Sequence, residues 1–288
     1  GSYNLYKPTV DIYGPFSPTI AYRLNGSYET ANSYRDVVHS KRYYFNPSLL
    51  FKLGKQTNLL IQGDYLKHTF TPDFGIGTLN NTIIAPLSRS TYLGVPWAYC
   101  TTQQATSSAT LTHYLNETWQ LKFTGDYQLY KRNYYSTERI QAAANGDWAR
   151  PLNRIKTKEN YYTAQFDITG KLKTGSFQHT LLLGADVERY FTVNYNFNQP
   201  TIYDTINVLE PTKYTARTDI PQALPIKNTE TPVNRFGVYV QDLISLSRQL
   251  KFLAGIRWSY QHAEAAIVND FINDTLFYTT AAKTDKAF

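Results

Sequence analysis

The chain has 288 residues, a formal charge of +7, 25 tyrosines and one cysteine. The 29 Lys and Arg are spread with no run of five, so no clustered nucleic-acid surface is expected, and one cysteine excludes an internal disulfide. No apolar run approaches the ~20 residues of a membrane-spanning helix, but barrel strands give a weaker signal per segment and stay open.

The elements are strands, read from apolar–polar alternation with a period of two. In chain order they are expected at 4–14, 19–31, 42–53, 57–69, 107–115, 119–132, 159–172, 178–192, 234–246 and 250–262. In the second, Ile20, Tyr22, Leu24, Gly26 and Tyr28 oppose Ala21, Arg23, Asn25, Ser27 and Glu29. In the sixth, Trp119, Leu121, Phe123, Tyr127 and Leu129 oppose Gln120, Lys122, Thr124, Asp126 and Gln128. In the last, Phe252, Ala254, Ile256, Trp258 and Tyr260 oppose Lys251, Leu253, Gly255, Arg257 and Ser259. Leu50, Leu60 and Leu182 break the pattern on polar faces, and His113 breaks it on an apolar one. Segments this long, with aromatics at the ends of the greasy face, predict an all-β, antiparallel up-and-down barrel in a lipid bilayer. A soluble sandwich also alternates, but its strands are typically about five or six residues long. A further strand is expected to begin at Thr275–Thr280.

The connections alternate in length. Short ones fall at Pro15–Pro18, Gly54–Gln56, Asn116–Thr118, Thr174–Ser176 and Ser247–Gln249. Long ones fall at 70–106, 133–158 and 193–233, with Ala31–Lys41 intermediate. Three prolines, Pro221, Pro225 and Pro232, are assigned to the last long loop, and Cys100 lies outside the expected strands. In a meander, alternate connections emerge at opposite ends, so the long loops share one end. That is the arrangement of outer-membrane barrels, with short periplasmic turns and long extracellular loops. There is no Met and the chain opens on Gly1, so a processed or truncated N-terminus is expected, with no signal peptide to read.

No residue set points to catalysis. The five histidines are scattered with no pair at ligand spacing, and no nucleophile elbow or phosphate loop is present. The polar faces carry Arg23, Asn25, Glu29, Gln62, Asp64, Lys122, Asp126, Gln165, Asp167, Asp186, Glu188, Lys251 and Arg257. Such a set suits either a water-exposed network holding the wall or the docking of an internal domain. The long loops place aromatics beside cations. The candidate ligand contacts are Arg89, Tyr92, Trp97 and Tyr99 in the first, Trp148 in the second, and Tyr34 and Arg35 in the intermediate one. Aromatic faces cover apolar ligand area, and Arg pairs with ligand oxygens.

Several segments resemble one family. Gly1-Ser2-Tyr3-Asn4-Leu5-Tyr6-Lys7-Pro8-Thr9-Val10-Asp11-Ile12-Tyr13-Gly14-Pro15 looks like the stretch that follows the plug in TonB-dependent siderophore receptors. Ala21 to Glu29 is similar to their next strand. Gly237-Val238-Tyr239-Val240-Gln241-Asp242 and Leu253-Ala254-Gly255-Ile256-Arg257-Trp258 resemble later barrel strands. Pro72-Asp73-Phe74-Gly75 with Tyr92-Leu93-Gly94-Val95-Pro96-Trp97 looks like the large loop of ferrichrome-type members.

The resemblance implies a 22-stranded outer-membrane barrel with an N-terminal plug. Residues 1–288 would form about ten or eleven of its strands, without the plug or the C-terminal barrel strands. It implies a ferric siderophore, of hydroxamate type, as ligand, import driven by the TonB complex through the plug, and outer-membrane lipid around the wall. No resident cofactor and no nucleic-acid partner are expected, since iron arrives inside the chelate. A receptor for glycan, cobalamin or haem on the same architecture is the sister reading. An adhesive or structural β protein would have connections of similar length at both ends, and an outer-membrane enzyme would need a catalytic set.

Overall fold

The computed structural model describes residues 1–287. Apart from one short 3-10 turn at Ser2–Asn4, all its regular structure is β. In chain order the strands are β1 Thr9–Ser17, β2 Ile20–Asn32, β3 His39–Lys52, β4 Thr57–Phe70, β5 Thr78–Leu79, β6 Ile83–Ile84, β7 Tyr99–Tyr114, β8 Trp119–Thr137 and β9 Gln141–Ala142. They continue with β10 Asp147–Thr174, β11 Phe177–Asn198, β12 Ile202–Asn207, β13 Leu224–Ser245, β14 Lys251–Ala263, β15 Ile267–Asp270, β16 Thr275–Tyr278 and β17 Lys283–Ala287. The wall runs β1-β2-β3-β4-β7-β8-β10-β11-β13-β14-β17, eleven strands in sequence order, with antiparallel pairing throughout. The six remaining short strands sit in the long connections. The one parallel pair, β5 with β9, joins two loops and is no part of the wall.

Register decides which side chains share a face, because directly paired residues point the same way. Leu111 pairs with Phe123, Phe123 with Phe166, Phe166 with Ala185, Ala185 with Val238 and Val238 with Trp258. Trp119, Leu183, Phe252 and Ile256 have the same parity on their strands, so one face is apolar across the sheet. These residues have no protein core to enter: Phe252 is 57% exposed and Ile256 61%. An apolar face left uncovered along every strand is the face a bilayer covers.

The opposite face holds every polar residue singled out from the alternation, and several of its charges pair across strands. Arg257 makes a two-pronged pair with Asp186, at 2.7 and 2.9 Å. Arg235 pairs with Glu188, which also accepts from the Tyr161 hydroxyl at 2.6 Å. Arg23 pairs with Asp11, and Lys7 and Arg42 flank Glu29. Two glycines make room for this network. A Cβ at Gly237 would strike the Arg257 guanidinium, and one at Gly184 would strike the Tyr239 ring, whose hydroxyl donates to Asp167 at 2.5 Å. Leu50, Leu60 and Leu182 do lie on this polar face, and His113 lies on the apolar one, held by Thr57 Oγ1 at 2.8 Å from its Nδ1.

Several expected boundaries need correction. The first strand runs Thr9–Ser17 rather than 4–14. The fifth wall strand starts at Tyr99 instead of 107, which places Cys100 inside β7, paired with Phe70 and Tyr134. β10 starts at Asp147 instead of 159 and is 28 residues long. β11 reaches Asn198 and β13 starts at Leu224, so Pro225 and Pro232 are strand residues and only Pro221 is in the loop. Residues 275–278 pair with β15 in a loop hairpin, and the eleventh wall strand is β17. For β7, β10, β11 and β13 the cause is the same. Beyond the bilayer both strand faces meet water or protein, so alternation fades while backbone pairing continues. The true long connections are therefore 71–98, 138–146, 199–223 and 264–282, with 33–38 shorter. They still alternate with short turns.

Candidate functional site

The long connections do not hang free. They fold into a core of their own at one end of the wall. Val95, Ala98, Tyr135, Leu152 and Tyr203 form one buried cluster, with Trp97 and Tyr99 packed against it. Ile140, Ala142, Trp148 and Val208 form a second, with Leu79 and Leu93 against it. Backbone pairing ties three loops together: β5 pairs with β6 and β9, and β12 pairs with the start of β10 through Asp147–Asn207 and Trp148–Ile206.

A buried ion pair lies between them. Arg150 Nε and Nη2 each donate to one Asp204 oxygen at 2.6 Å. Both side chains are almost fully enclosed, at 5% and 6% exposure. The remaining Arg150 donor, Nη1, reaches the Gly94 and Leu93 carbonyl oxygens, and the guanidinium stacks over Tyr203. One residue thereby joins loops 71–98 and 199–223 to β10. Asp204 is partly buried, which by itself would raise its pKa. The Arg150 and Arg217 contacts outweigh that and hold the carboxyl below its usual value.

The sequence-derived candidates separate into two groups. Trp148 is buried in the second cluster. Trp97 packs between Tyr135 and Tyr203, its Nε1 donating to the Tyr203 hydroxyl at 3.3 Å. Tyr99 pairs with Tyr135 and lies beside Arg154. The Tyr92 hydroxyl lies 3.2 Å from the Val95 carbonyl oxygen and 3.3 Å from that of Pro72. Burial, reinforced by nearby Asp73, pushes that phenol up to about 12. Arg35 is buried, its Nε 2.8 Å from Asp73 and its Nη1 donating to the Thr91 carbonyl at 2.8 Å. These five stitch the loops together. Tyr34 and Arg89 differ: both are exposed, with the Arg89 guanidinium 5.1 Å from the Tyr34 ring centre. Loops 33–38 and 71–98 bring that pair together at the surface.

The polar face adds a group that alternation alone did not single out. Tyr130, Tyr161 and Tyr190, with Gln128 and Glu159, line a cavity of about 120 Å³. Tyr161 donates to Glu188, and Tyr190 donates to Glu159 at 3.2 Å. The signal was present as tyrosines with the parity of Gln128, Thr163 and Glu188. Aromatic residues are read as greasy by default, and that hid it.

A sequence model described as TonB dependent receptor-like, beta-barrel, matches residues 43–288. The chain is 28% identical over 268 residues to the metal-pseudopaline receptor CntO of Pseudomonas aeruginosa, covering 90% of this chain and 37% of that protein. It is 25% identical to the catecholate siderophore receptor Fiu of Escherichia coli K12, covering 92% and 38%. The ferrioxamine receptor of Yersinia enterocolitica is 23% identical over 96% of this chain and 39% of its own length. The chain thus spans under two fifths of the curated relatives it matches. In structure, the closed form of Fiu superposes with a TM-score of 0.85 at 20% identity, covering 99% of this chain and 45% of that one. PiuA of Acinetobacter baumannii superposes at 0.80 with 23% identity, covering 99% and 44%. The eleven-strand meander, its bare apolar face, its ion-paired polar face and the family match agree: this chain belongs to the TonB-dependent receptor-like β-barrel family and is barrel wall and loops of an outer-membrane receptor.

Proposed function

We propose that the receptor carrying this chain binds a ferric siderophore between its extracellular loops and the polar face of the wall, and imports it with energy from the TonB complex. In this reading iron is cargo. A plug, contributed from outside the spans seen in this chain, and further strands complete the barrel. The ligand is an anionic, aromatic chelate of catecholate type rather than the hydroxamate suggested by the loop motif. The similarity to a catecholate siderophore receptor supports that shift.

The observation that carries the proposal is the pre-built loop core beside a polar face bearing three tyrosines. Loops already folded lose little freedom on binding, so contact energy is not consumed by ordering. Tyrosine rings cover a flat aromatic ligand while their hydroxyls meet its oxygens. Within the original candidates, exposed Tyr34 and Arg89 are assigned to the ligand rim. Tyr92, Trp97, Tyr99, Trp148 and Arg35 are assigned to holding the loops that frame it.

The test uses the receptor in isolated outer membranes. Equilibrium binding of radio-iron-labelled ferric catecholate, ferric hydroxamate and a nickel chelate is measured for wild type, for Arg89→Ala and for the double change Tyr161→Ala with Tyr190→Ala. The proposal expects selective catecholate binding that falls by about thirtyfold in the double variant, the loss typical of hot-spot truncation. Tight binding of another chelate with none of the catecholate overturns the ligand class. Unchanged binding in the double variant, at wild-type surface level, overturns the site.

A further inference from the structure

Directly paired residues of the polar face form rows across the strands. One row near the loops holds Glu29, Arg42, His68, Thr102, Arg132 and Thr157. Arg132 therefore points into the lumen. It stands one polar-face position nearer the loops than Tyr130, the first of the three cavity tyrosines. Its guanidinium is half-buried and lies 5.1 Å from the Tyr134 ring centre.

Two features set Arg132 apart. First, Arg23, Arg42, Arg235 and Arg257 on the same face each pair with a carboxylate. Arg132 has no ion-pair partner among the described residues, so no carboxylate occupies its planar fork of donors. Second, three carboxylates of this face, Glu159, Asp64 and Asp126, also have no cationic partner among the described residues. They accept from hydroxyls: Glu159 from Tyr190 at 3.2 Å, Asp64 from Thr106, and Asp126 from Thr163 at 2.9 Å. Glu159 pairs across from Tyr130, Asp64 lies in the row of Gln128 and Tyr161, and Asp126 is one position further from the loops. Unpaired negative charge thus begins level with the tyrosines and continues away from the loops. Unpaired positive charge stands on the loop side, about 7 Å along the strand from Tyr130.

An anionic chelate at Tyr130, Tyr161 and Tyr190 is repelled by those carboxylates, and low-dielectric walls focus the field that it meets. A neutral chelate of the same size is not. We propose that Arg132 is the specificity-determining residue of the site. It meets the anionic oxygens of the chelate in a two-pronged contact, selects the ligand by its charge and holds it on the loop side of the tyrosines. Glu159, Asp64 and Asp126 oppose its descent along the wall. A guanidinium suits this task better than an ammonium, because its fork matches two neighbouring anionic oxygens. The inference rests on the reading above that a chelate binds at these tyrosines. It adds which ligand charge is chosen and which residue chooses it.

The test uses the complete receptor in isolated outer membranes, with equilibrium binding of two radio-iron probes of similar size. One is an anionic ferric tris-catecholate and the other a neutral ferric tris-hydroxamate. The variants are Arg132→Gln, Arg132→Lys and the double change Asp64→Asn with Asp126→Asn, whose amide oxygens can still accept from Thr106 and Thr163. Arg132→Gln is expected to lose roughly tenfold or more in affinity for the anionic probe, the weight of a charge-assisted contact, and the loss should shrink as salt rises. Binding of the neutral probe should change by less than about threefold. Arg132→Lys keeps the charge without the fork and should recover part of the loss. The double variant should bind the anionic probe several-fold more tightly and the neutral probe as wild type does. Equal losses for both probes in Arg132→Gln, at wild-type surface level, would give Arg132 a structural role only and overturn the inference. Unchanged binding of the anionic probe would overturn it too. Unchanged anionic binding in the double variant overturns the role given to the carboxylates. Wild-type receptor that binds only the neutral probe overturns the proposed ligand class as well, whereas anionic binding by wild type leaves that class standing whatever Arg132 does.

Discussion

Replacing Asp204 by Asn tests whether one ion pair holds the loop core together. The wild-type pair has both carboxylate oxygens engaged by Arg150 at 2.6 Å, with each side chain at least 94% enclosed. Asn keeps one acceptor, turns the other into a donor facing a donor, and removes the counter-charge. The Gly94 and Leu93 carbonyls remain as Arg150 partners. Breaking a buried pair on one side costs about 3–5 kcal/mol, and the retained acceptor puts this case near the lower figure. About 3 kcal/mol corresponds to roughly a hundredfold more frequent opening of the loops from β10. Hydrogen exchange on assembled receptor reads it in the peptides spanning Trp148–Leu152 and 202–207, whose backbones pair. Exchange there should accelerate by about that factor while the wall peptides of β11 stay protected. The double change Arg150→Met with Asp204→Leu removes both charges and should recover most of the protection, since apolar replacement of a whole pair is often neutral or better. Exchange within about threefold of wild type in Asp204→Asn would refute the assignment of the loop core to this pair.

Phe123→Arg places a cation on the apolar face at a site paired with Phe166 and Leu111. It should cost about 2–4 kcal/mol at the bilayer midplane and lower the amount of assembled receptor in outer membranes; an unchanged amount would count against that face meeting lipid. Asp147 tests the pH response of the loops. The Lys213 ammonium, then the Asn207 and Asn145 amides, hold its carboxyl down at about 2, from an ordinary 3.8. A depressed carboxylate contributes above its ordinary value, and that contribution is lost as pH falls from there through about 2. Protection of loop 199–223 from an acid-active protease should therefore persist from neutral pH to about 4 and fall below it, with Asp147→Asn lacking that step. Wild type and variant losing protection in step at every pH would exclude Asp147 as the titrating group.

The fold was legible because burial in lipid on one face and water on the other imposes a period of two on each strand. Trp119, Phe123, Ile256 and Arg257 needed nothing more than that to be placed. The same logic failed at Asp147–Lys158 and Leu224–Val233, where strands leave the bilayer and their two faces meet similar surroundings. Arg and aromatic residues in the loops were visible, but their partners were not. The pairing of Arg150 with Asp204 spans 54 residues. Trp97 meets Tyr203 across 106. No local spacing records such contacts, so residues that hold loops together and residues that face outward looked alike.

β10 is one uninterrupted strand of 28 residues, and about 90 Å of extended chain serves both bilayer and loop core. The bilayer uses about a third of that length, since a tilted crossing takes about nine to eleven residues. The rest acts as a cantilever rooted in the membrane, braced by β8 on one side and β11 on the other. Its pairing with β8 continues to Leu152 and with β11 to Thr157, so no hinge falls between Leu152 and Thr174. Movement at the mouth therefore falls to the segments that rest on this beam, residues 71–98 and 199–223, and not to the beam. A chelate arriving from outside would meet a stiff rim with two covers already packed against it.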